Sequence, residues 1–186
     1  MTINVWSYLE EYQDEKSDIH EAIDSVLNSG QLILGPHVKE FEEEYASYCG
    51  TNHAIGVANG TDAITIGLRA LDIGRGDEVI TVSNTAVPTV SGIIDAGAIP
   101  RFVDIDPKTY LMDVSLLENL INEKTKCILP VHLYGQCVDM DKVSEIAQKY
   151  NLRVFEDCAQ AHGALFNGKV AGSLGDASST SFYPTK

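Results

Sequence analysis

Leu152-Arg153-Val154-Phe155-Glu156-Asp157-Cys158-Ala159-Gln160-Ala161-His162-Gly163-Ala164 is the stretch from which the fold can be read. Its first four residues are strand-sized and largely apolar, and a dense run of polar groups follows at once. A helical pattern over residues 140–150, with Val143, Ile146 and Ala147 on one face, leads into it. An apolar strand entered from a helix and left through polar residues is the repeating unit of a parallel α/β sheet. In such sheets ligands gather beyond the carboxyl ends of the strands.

The alternation continues upstream. Residues 126–132 read as an apolar strand, and the segment before them as a helix over 113–121 capped by Asp113. A short strand over 101–104 follows Pro100, a helix spans 87–96, and Glu78-Val79-Ile80-Thr81-Val82 is a strand. Asn59-Gly60 reads as a turn into a helix over 61–71, with Ile64, Leu68 and Leu71 facing a core. Ala54-Ile55-Gly56-Val57-Ala58 before it reads as a buried strand. Further back, Pro36 opens a helix carrying Val38, Phe41, Tyr45 and Tyr48, which Gly50 ends. A linker over 31–35 separates it from an earlier helix that Ser17 caps and Gly30 closes, with Ile19, Ala22, Ile23 and Val26 on one face. Residues 3–15 have no clear period. At the other end, Ser179-Thr180-Ser181-Phe182 reads as a strand and Tyr183-Pro184-Thr185-Lys186 as a turn leaving it. The expected class is α/β, a mostly parallel sheet flanked by helices. Residues 1–50 form an N-terminal helical segment leading into a large domain over 51–186.

Composition agrees with a globular chain. Of 186 residues 44% are hydrophobic and 22% charged, which excludes disordered and membrane classes. Met1-Thr2-Ile3-Asn4-Val5 lacks the basic start of a signal peptide, and no membrane span is expected. Cys49, Cys127, Cys137 and Cys158 form no C-x-x-C pair, so reduced, buried thiols in a cytoplasmic protein are expected, with no metal site. A formal charge of −14 disfavours nucleic acid as a partner. The chain stops on Ser181-Phe182-Tyr183-Pro184-Thr185-Lys186 without linker or polar tail, and a fragment of a longer protein is expected.

Three places beyond strand ends carry candidate chemistry. Asn59-Gly60-Thr61-Asp62 starts a helix whose free N–H groups and dipole suit a phosphate, although the same residues also make an ordinary capped turn. Glu156 and Asp157 need a cationic or donor partner if buried. Arg153 is the nearest cation in sequence, and a protonated heterocyclic nitrogen would also serve. Lys186, on a turn leaving a strand, is either a surface lysine or a nucleophilic amine. No G-x-G-x-x-G follows a predicted strand, so a nicotinamide-binding Rossmann enzyme is disfavoured.

Taken in order, Asn59-Gly60-Thr61-Asp62-Ala63, Val103-Asp104-Ile105-Asp106, Pro130-Val131-His132-Leu133-Tyr134-Gly135, Glu156-Asp157-Cys158-Ala159-Gln160 and Ser181-Phe182-Tyr183-Pro184-Thr185-Lys186 resemble the DegT/DnrJ/StrS sugar aminotransferases. The resemblance implies a fold-type-I pyridoxal-phosphate (PLP) transferase, about twice this length and homodimeric, with active sites at the subunit interface. It implies that Lys186 forms the Schiff base and shuttles a proton, Asp157 pairs with the pyridine nitrogen, and Gln160 bonds the phenolic oxygen. The N–H groups of Thr61 and Asp62 after Gly60, with the Ser181 hydroxyl, would hold the phosphate. In Ser83-Asn84-Thr85-Ala86-Val87-Pro88-Thr89, Ala86 stands where most members lay an aromatic over the ring. That run resembles members that aminate the C3 ketone of a dTDP-linked 3-oxo-6-deoxyhexose. His162 either lines the sugar side of the pocket or fills a hydrogen-bonded niche. Tyr183 either reaches substrate or packs beside Pro184, and Gly35-Pro36, Trp6 and Tyr8 are placed by position alone at the sugar pocket's border. The implied reaction is transamination from an amino acid such as L-glutamate onto a nucleotide-linked keto-sugar. The alternatives are a dehydratase of the same family, which a lysine at 186 opposes, and a non-catalytic PLP- or sugar-nucleotide-binding regulator.

Overall fold

Proline and glycine punctuate the first half of the chain where the sequence places them. The computed structural model describes residues 7–186, so Trp6 and the reading of residues 1–5 lie outside the described residues. Helix α1 spans Leu9–Ser29 and closes on Gly30 at φ 68°, a left-handed C-cap that glycine adopts without a Cβ penalty. Helix α2, Pro36–Cys49, starts on its proline and ends on Gly50. Then come α3 (Gly60–Ala70), β1 (Glu78–Val82), α4 (Val87–Ala96), β2 (Ile99–Val103) and a 3-10 turn over Val114–Asn119. After these follow β3 (Thr125–Ile128), α5 (Met140–Tyr150), β4 (Arg153–Asp157), β5 (Leu165–Phe166), β6 (Lys169–Val170) and β7 (Ala177–Ser179).

Strands β2, β1, β3, β4 and β7 form one five-stranded sheet in that order, with every adjacent pair parallel. All five residues of β1 are buried, as an inner strand covered on both faces requires. Helices α3 and α4 pack against each other so closely that a Cβ on Gly92 would lie 2.7 Å from Ile64 Cβ. A Cβ on Gly67 would meet the Phe155 ring at 2.3 Å, so α3 approaches β4 only because glycine stands there. Phe155, Ile64, Leu68, Ile80, Ile93 and Leu117 are fully or almost fully buried in the shared core, each stabilising by about 1.5–3 kcal/mol.

Several expectations need correction. Helix α1 begins at Leu9 rather than after Ser17, because Glu10 and Glu11 supply the acidic first turn that favours a helix start. No residue of α1 is buried, so its apolar face meets no core among the described residues. Residues 54–58 form no strand: Ile55 is 79% exposed, no strand among the described residues lies beside them, and the Gly56 N–H is held by Glu42 Oε1 at 2.6 Å. Strand β2 starts at Ile99 and contains Pro100, which an edge strand tolerates. The segment that Asp113 caps is a 3-10 turn, and β3 ends at Ile128 although Leu129 to His132 stay buried. Strand β7 ends at Ser179 rather than running on to Phe182, because the chain beyond it turns toward α2 and α3. The β5–β6 hairpin on Asn167-Gly168, both at positive φ, is an addition whose Asn-Gly signal was in the sequence.

Candidate active site

Successive side chains of a strand point to opposite faces, so Glu156 and Asp157 at the carboxyl end of β4 serve different surroundings. Glu156, 0% exposed, accepts the N–H of Gly172 at 2.9 Å and those of Leu174 and Gly175 at 2.7 Å, together with His132 Nε2 at 3.0 Å. His132 Nδ1 accepts the Val138 N–H at 3.1 Å, which puts the ring's proton on Nε2 and makes the imidazole a neutral donor rather than half of an ion pair. Burial alone would push the Glu156 pKa up. The bonds from His132, Gly172 and Gly175 outweigh it and hold the carboxyl below its ordinary value. Cys158 lies within 4.8 Å of the His132 and Glu156 ligand atoms, but each Glu156 oxygen already takes two N–H donors. Burial, followed by the charges of Glu156 and Asp157, drives the Cys158 thiol pKa well up, and the thiol is inert.

On the other face Asp157, 4% exposed, accepts two hydrogen bonds among the described residues, Thr89 Oγ1–H on Oδ2 at 2.7 Å and the Ala159 N–H on Oδ1 at 3.1 Å. Arg153, the nearest cation in sequence, bonds Asp176 at 2.9 Å instead, and no cation pairs with Asp157 among the described residues. Thr89 lies in the first turn of α4, whose N-cap is the exposed Ala86, so α4 presents Ala86 and anchors Asp157 from one short segment. Ser179 is the register partner of Asp157, and its buried hydroxyl has no hydrogen-bond partner among the described residues.

The start of α3 comes to the same end of the sheet. Asn59 caps it by accepting the Asp62 N–H at 2.9 Å, and Asn59 Nδ2 donates to Asp62 Oδ2 at 2.9 Å. Of the expected phosphate donors, the Asp62 N–H is therefore engaged. Those of Gly60 and Thr61 meet no acceptor among the described residues. A Cβ on Gly60 would sit 3.2 Å from Ser181 Cβ and 3.4 Å from Ser181 Oγ, so the helix start and the serine form one cradle.

Beyond Ser181 the chain closes a turn in which the Lys186 N–H donates to Tyr183 O at 2.8 Å, as expected of Tyr183-Pro184-Thr185-Lys186. Lys186 and Tyr183 are exposed, and the Lys186 ammonium makes no ion pair among the described residues. His162 bridges Tyr45 Oη at 3.3 Å on Nδ1 and Ser181 O at 2.9 Å on Nε2. Its ring also packs against Phe182, which lies edge-on to Phe41 and Tyr45. Both ring nitrogens of His162 are thus hydrogen-bonded within the chain. Burial is the chief cause that raises the Tyr45 pKa to about 12, so its phenol stays protonated and donates to His162. Gln160 accepts the Gly135 N–H on its backbone oxygen at 2.9 Å, leaving its half-buried side-chain amide without a partner among the described residues. Sequence reasoning missed Thr89 and Tyr45 as site residues. The paired threonines Thr85 and Thr89 at a helix start were the available signal for the first.

Residues 13–186 match the DegT/DnrJ/EryC1/StrS aminotransferase family. The chain belongs to that family. A dTDP-3-amino-3,4,6-trideoxy-alpha-D-glucose transaminase of Micromonospora megalomicea subsp. nigra is 54% identical over all of this chain and 50% of its own length. A dTDP-3-amino-3,6-dideoxy-alpha-D-galactopyranose transaminase of Aneurinibacillus thermoaerophilus is 53% identical over 90% of this chain and 46% of its own. Among solved structures, S. venezuelae DesV, in complex with a ketimine intermediate, matches with a TM-score of 0.91 at 40% identity, over 96% of this chain and 48% of that one. The chain thus spans about half the length of these relatives. The parallel sheet with flanking helices is the fold these aminotransferases share. Among the described residues no helix is long and apolar enough to cross a membrane.

Proposed function

We propose that the protein binds pyridoxal phosphate at the carboxyl ends of β1, β4 and β7. There it would transfer an amino group from an amino acid such as L-glutamate to a nucleotide-linked keto-deoxysugar, a dTDP-3-oxo-6-deoxyhexose. The observation that carries this reading is Asp157, a buried carboxylate with two neutral donors and no cation among the described residues. A protonated pyridine nitrogen is the charge such a group lacks. The Gly60 cradle against Ser181 and the unpartnered Ser179 hydroxyl fit the same guest. Bound there, pyridoxal phosphate supplies an electron sink for the substrate's amine-bearing carbon. Asp157 keeps the ring nitrogen protonated. The Gly60 and Thr61 N–H groups and the Ser181 hydroxyl hold the phosphate on a helix start, and Gln160 presents its free amide to the ring oxygen. Ala86, exposed at the N-cap of α4, would offer the ring a small aliphatic group. Lys186 carries the cofactor and moves the proton at the substrate carbon.

His162 and Tyr45 fix Ser181 from behind, and Tyr183 remains on the exposed turn beside the lysine. Residues 51–186 make up the cofactor-binding part, with 1–50 leading into it. The names of the Micromonospora and Aneurinibacillus relatives support a dTDP-linked 3-keto substrate. By family analogy the protein pairs with a second copy that completes the site. Four free cysteines, three buried and Cys137 half-buried, fit a reducing, cytoplasmic setting. A relative named "Pleiotropic regulatory protein", from Geobacillus stearothermophilus and 47% identical over the whole chain, supports a second reading as a non-catalytic binder.

The deciding experiment loads the intact protein with pyridoxal phosphate, adds amino acids and follows the cofactor's absorption. It then supplies dTDP- and UDP-linked 3-oxo and 4-oxo sugars with mass-spectrometric detection of products. An absorption change with L-glutamate and an aminated dTDP-3-sugar are expected, and Lys186→Ala should show neither. An unchanged spectrum with every donor overturns the transaminase reading, tight sugar-nucleotide binding without aminated product favours the regulator, and a deoxygenated product favours the dehydratase.

A further inference from the structure

We propose that Thr89, with Thr85 behind it, is a positioning residue that keeps the shared proton of the Asp157 pair on the cofactor's ring nitrogen. This inference rests on the pyridoxal-phosphate reading above. Thr89 is 1% exposed and its Oγ1 lies 2.7 Å from Asp157 Oδ2, while Thr85 Oγ1 lies 2.7 Å from Thr89 Oγ1. An ionised carboxylate only accepts, so Thr89 must donate to Asp157. A hydroxyl has one proton, so at the second contact Thr89 accepts and Thr85 donates. The result is a one-way chain of donors, from Thr85 to Thr89 to Asp157, and each hydroxyl polarises the next.

The geometry gives this chain two consequences. Oδ2 is fixed by Thr89 on α4 and Oδ1 by the Ala159 N–H in the loop after β4, so the carboxylate plane is held from two separate elements. Thr89 is also tied by its own N–H to Ala86 O at 3.1 Å, so Asp157 and the segment that presents Ala86 move as one unit. In a pair made of a carboxyl and a pyridine nitrogen, one proton chooses between ionic and neutral forms. Donors on the carboxylate stabilise the ionic form, with the proton on nitrogen, because they bond more strongly to a charged acceptor than to a neutral acid. Withdrawing the Thr89 hydroxyl removes one of the two donors and moves the proton toward Asp157. Glu156, the other buried acid at this strand end, points to the opposite face and is saturated by its own donors, so it does not compete for Thr89.

The test compares the wild-type intact protein with Thr89→Val, which keeps the shape and removes the hydroxyl, and Thr89→Ser, which restores it. Each is titrated with pyridoxal phosphate and examined by 15N NMR with cofactor labelled at the ring nitrogen. The expected result is a protonated ring nitrogen in the wild type and in Thr89→Ser. In Thr89→Val the resonance moves toward the neutral position and affinity weakens about tenfold. Thr85→Val, in which Thr89 still donates but is no longer polarised, should move the resonance the same way by less. This second variant decides the matter if Thr89→Val fails to fold. An unmoved resonance in Thr89→Val, or in Thr85→Val when only that variant folds, overturns the inference and leaves the proposed function standing. A wild-type protein that binds no pyridoxal phosphate overturns both.

Discussion

On one face of the last residues of β4, Glu156 accepts four hydrogen bonds from groups that are themselves buried or half-buried. On the other, Asp157 accepts two among the described residues, one on each oxygen. The two carboxyl residues share a strand and near-complete burial, and what surrounds them differs. A carboxylate whose donors are all supplied by its own chain is an anchor. It ties the segment over 172–175 to the sheet and, through His132, the loop at Val138. A carboxylate buried with fewer donors than it can use, and no cation, is a site awaiting a charged guest. The comparison predicts opposite behaviour on mutation: on the Glu156 side stability should fall, and on the Asp157 side function should fall.

The largest effect is expected from Glu156→Ala, which orphans three backbone N–H groups and the His132 ring at once. A loss of about 3–5 kcal/mol in urea unfolding of the intact protein, or no soluble product, is expected. A variant within about 1 kcal/mol of wild type would break the anchor reading. Glu156→Gln sharpens it through pH. Because the folded-state pKa of Glu156 is depressed, its contribution is fully present above the ordinary glutamate value. It is lost as the pH falls through the lower native value. The gap between wild type and Glu156→Gln should therefore be widest near neutrality and close in acid. A gap that widens as the pH falls would reverse the assigned sign.

Next in size is Asp157→Asn. The amide can still accept the Ala159 N–H and can donate to Thr89, so unfolding should stay within about 1 kcal/mol of wild type. Loss of the negative charge opposite the ring nitrogen should lower turnover by about 10²–10³-fold. If Asp157→Asn were as destabilising as Glu156→Ala while leaving turnover intact, the two faces would have been assigned the wrong way round.

The anchor and the site were unequally legible in the sequence. The bounds of β1, α4 and α5 follow from local signals, an apolar run, a proline in the first turn and an Asp139 cap accepting the Lys142 N–H. The strand end bearing Asp157 and the Gly60 turn were legible for the same reason, being short motifs at fixed places in an α/β repeat. What local pattern misses is contact across the chain. Thr89 lies 68 positions from Asp157, and Tyr45 lies 117 from His162, so neither partner announces itself. Residues 54–58 mislead in the opposite direction. Apolarity was read as burial, yet burial needs a neighbour, and among the described residues no strand stands beside Ile55 or Val57. The apolar stripe of α1 misleads in the same way, with Ile23 and Leu27 both more than half exposed.

The smallest expected effect tests the rim of the open side, at Gly60→Ala. Gly60 is the first residue of α3 and does not adopt the left-handed backbone, so alanine gains about 0.5–1 kcal/mol of helix preference there. Against this, the new Cβ would stand 3.2 Å from Ser181 Cβ and 3.4 Å from its Oγ, so Ser181 must yield by a few tenths of an ångström. Ser181 is held by His162 on its carbonyl, but among the described residues its hydroxyl makes one long contact, 3.3 Å from the Tyr183 N–H, and is free to turn away. Stability should thus change by less than about 1 kcal/mol, while the displaced hydroxyl costs about one hydrogen bond to the phosphate, roughly a fivefold weaker affinity for pyridoxal phosphate. Pyridoxal, which has no phosphate, should bind wild type and Gly60→Ala equally. Equal weakening for both ligands would mean that the cradle between α3 and Ser181 shapes the ring site rather than a phosphate site. The phosphate would then have to be sought at some other donor set.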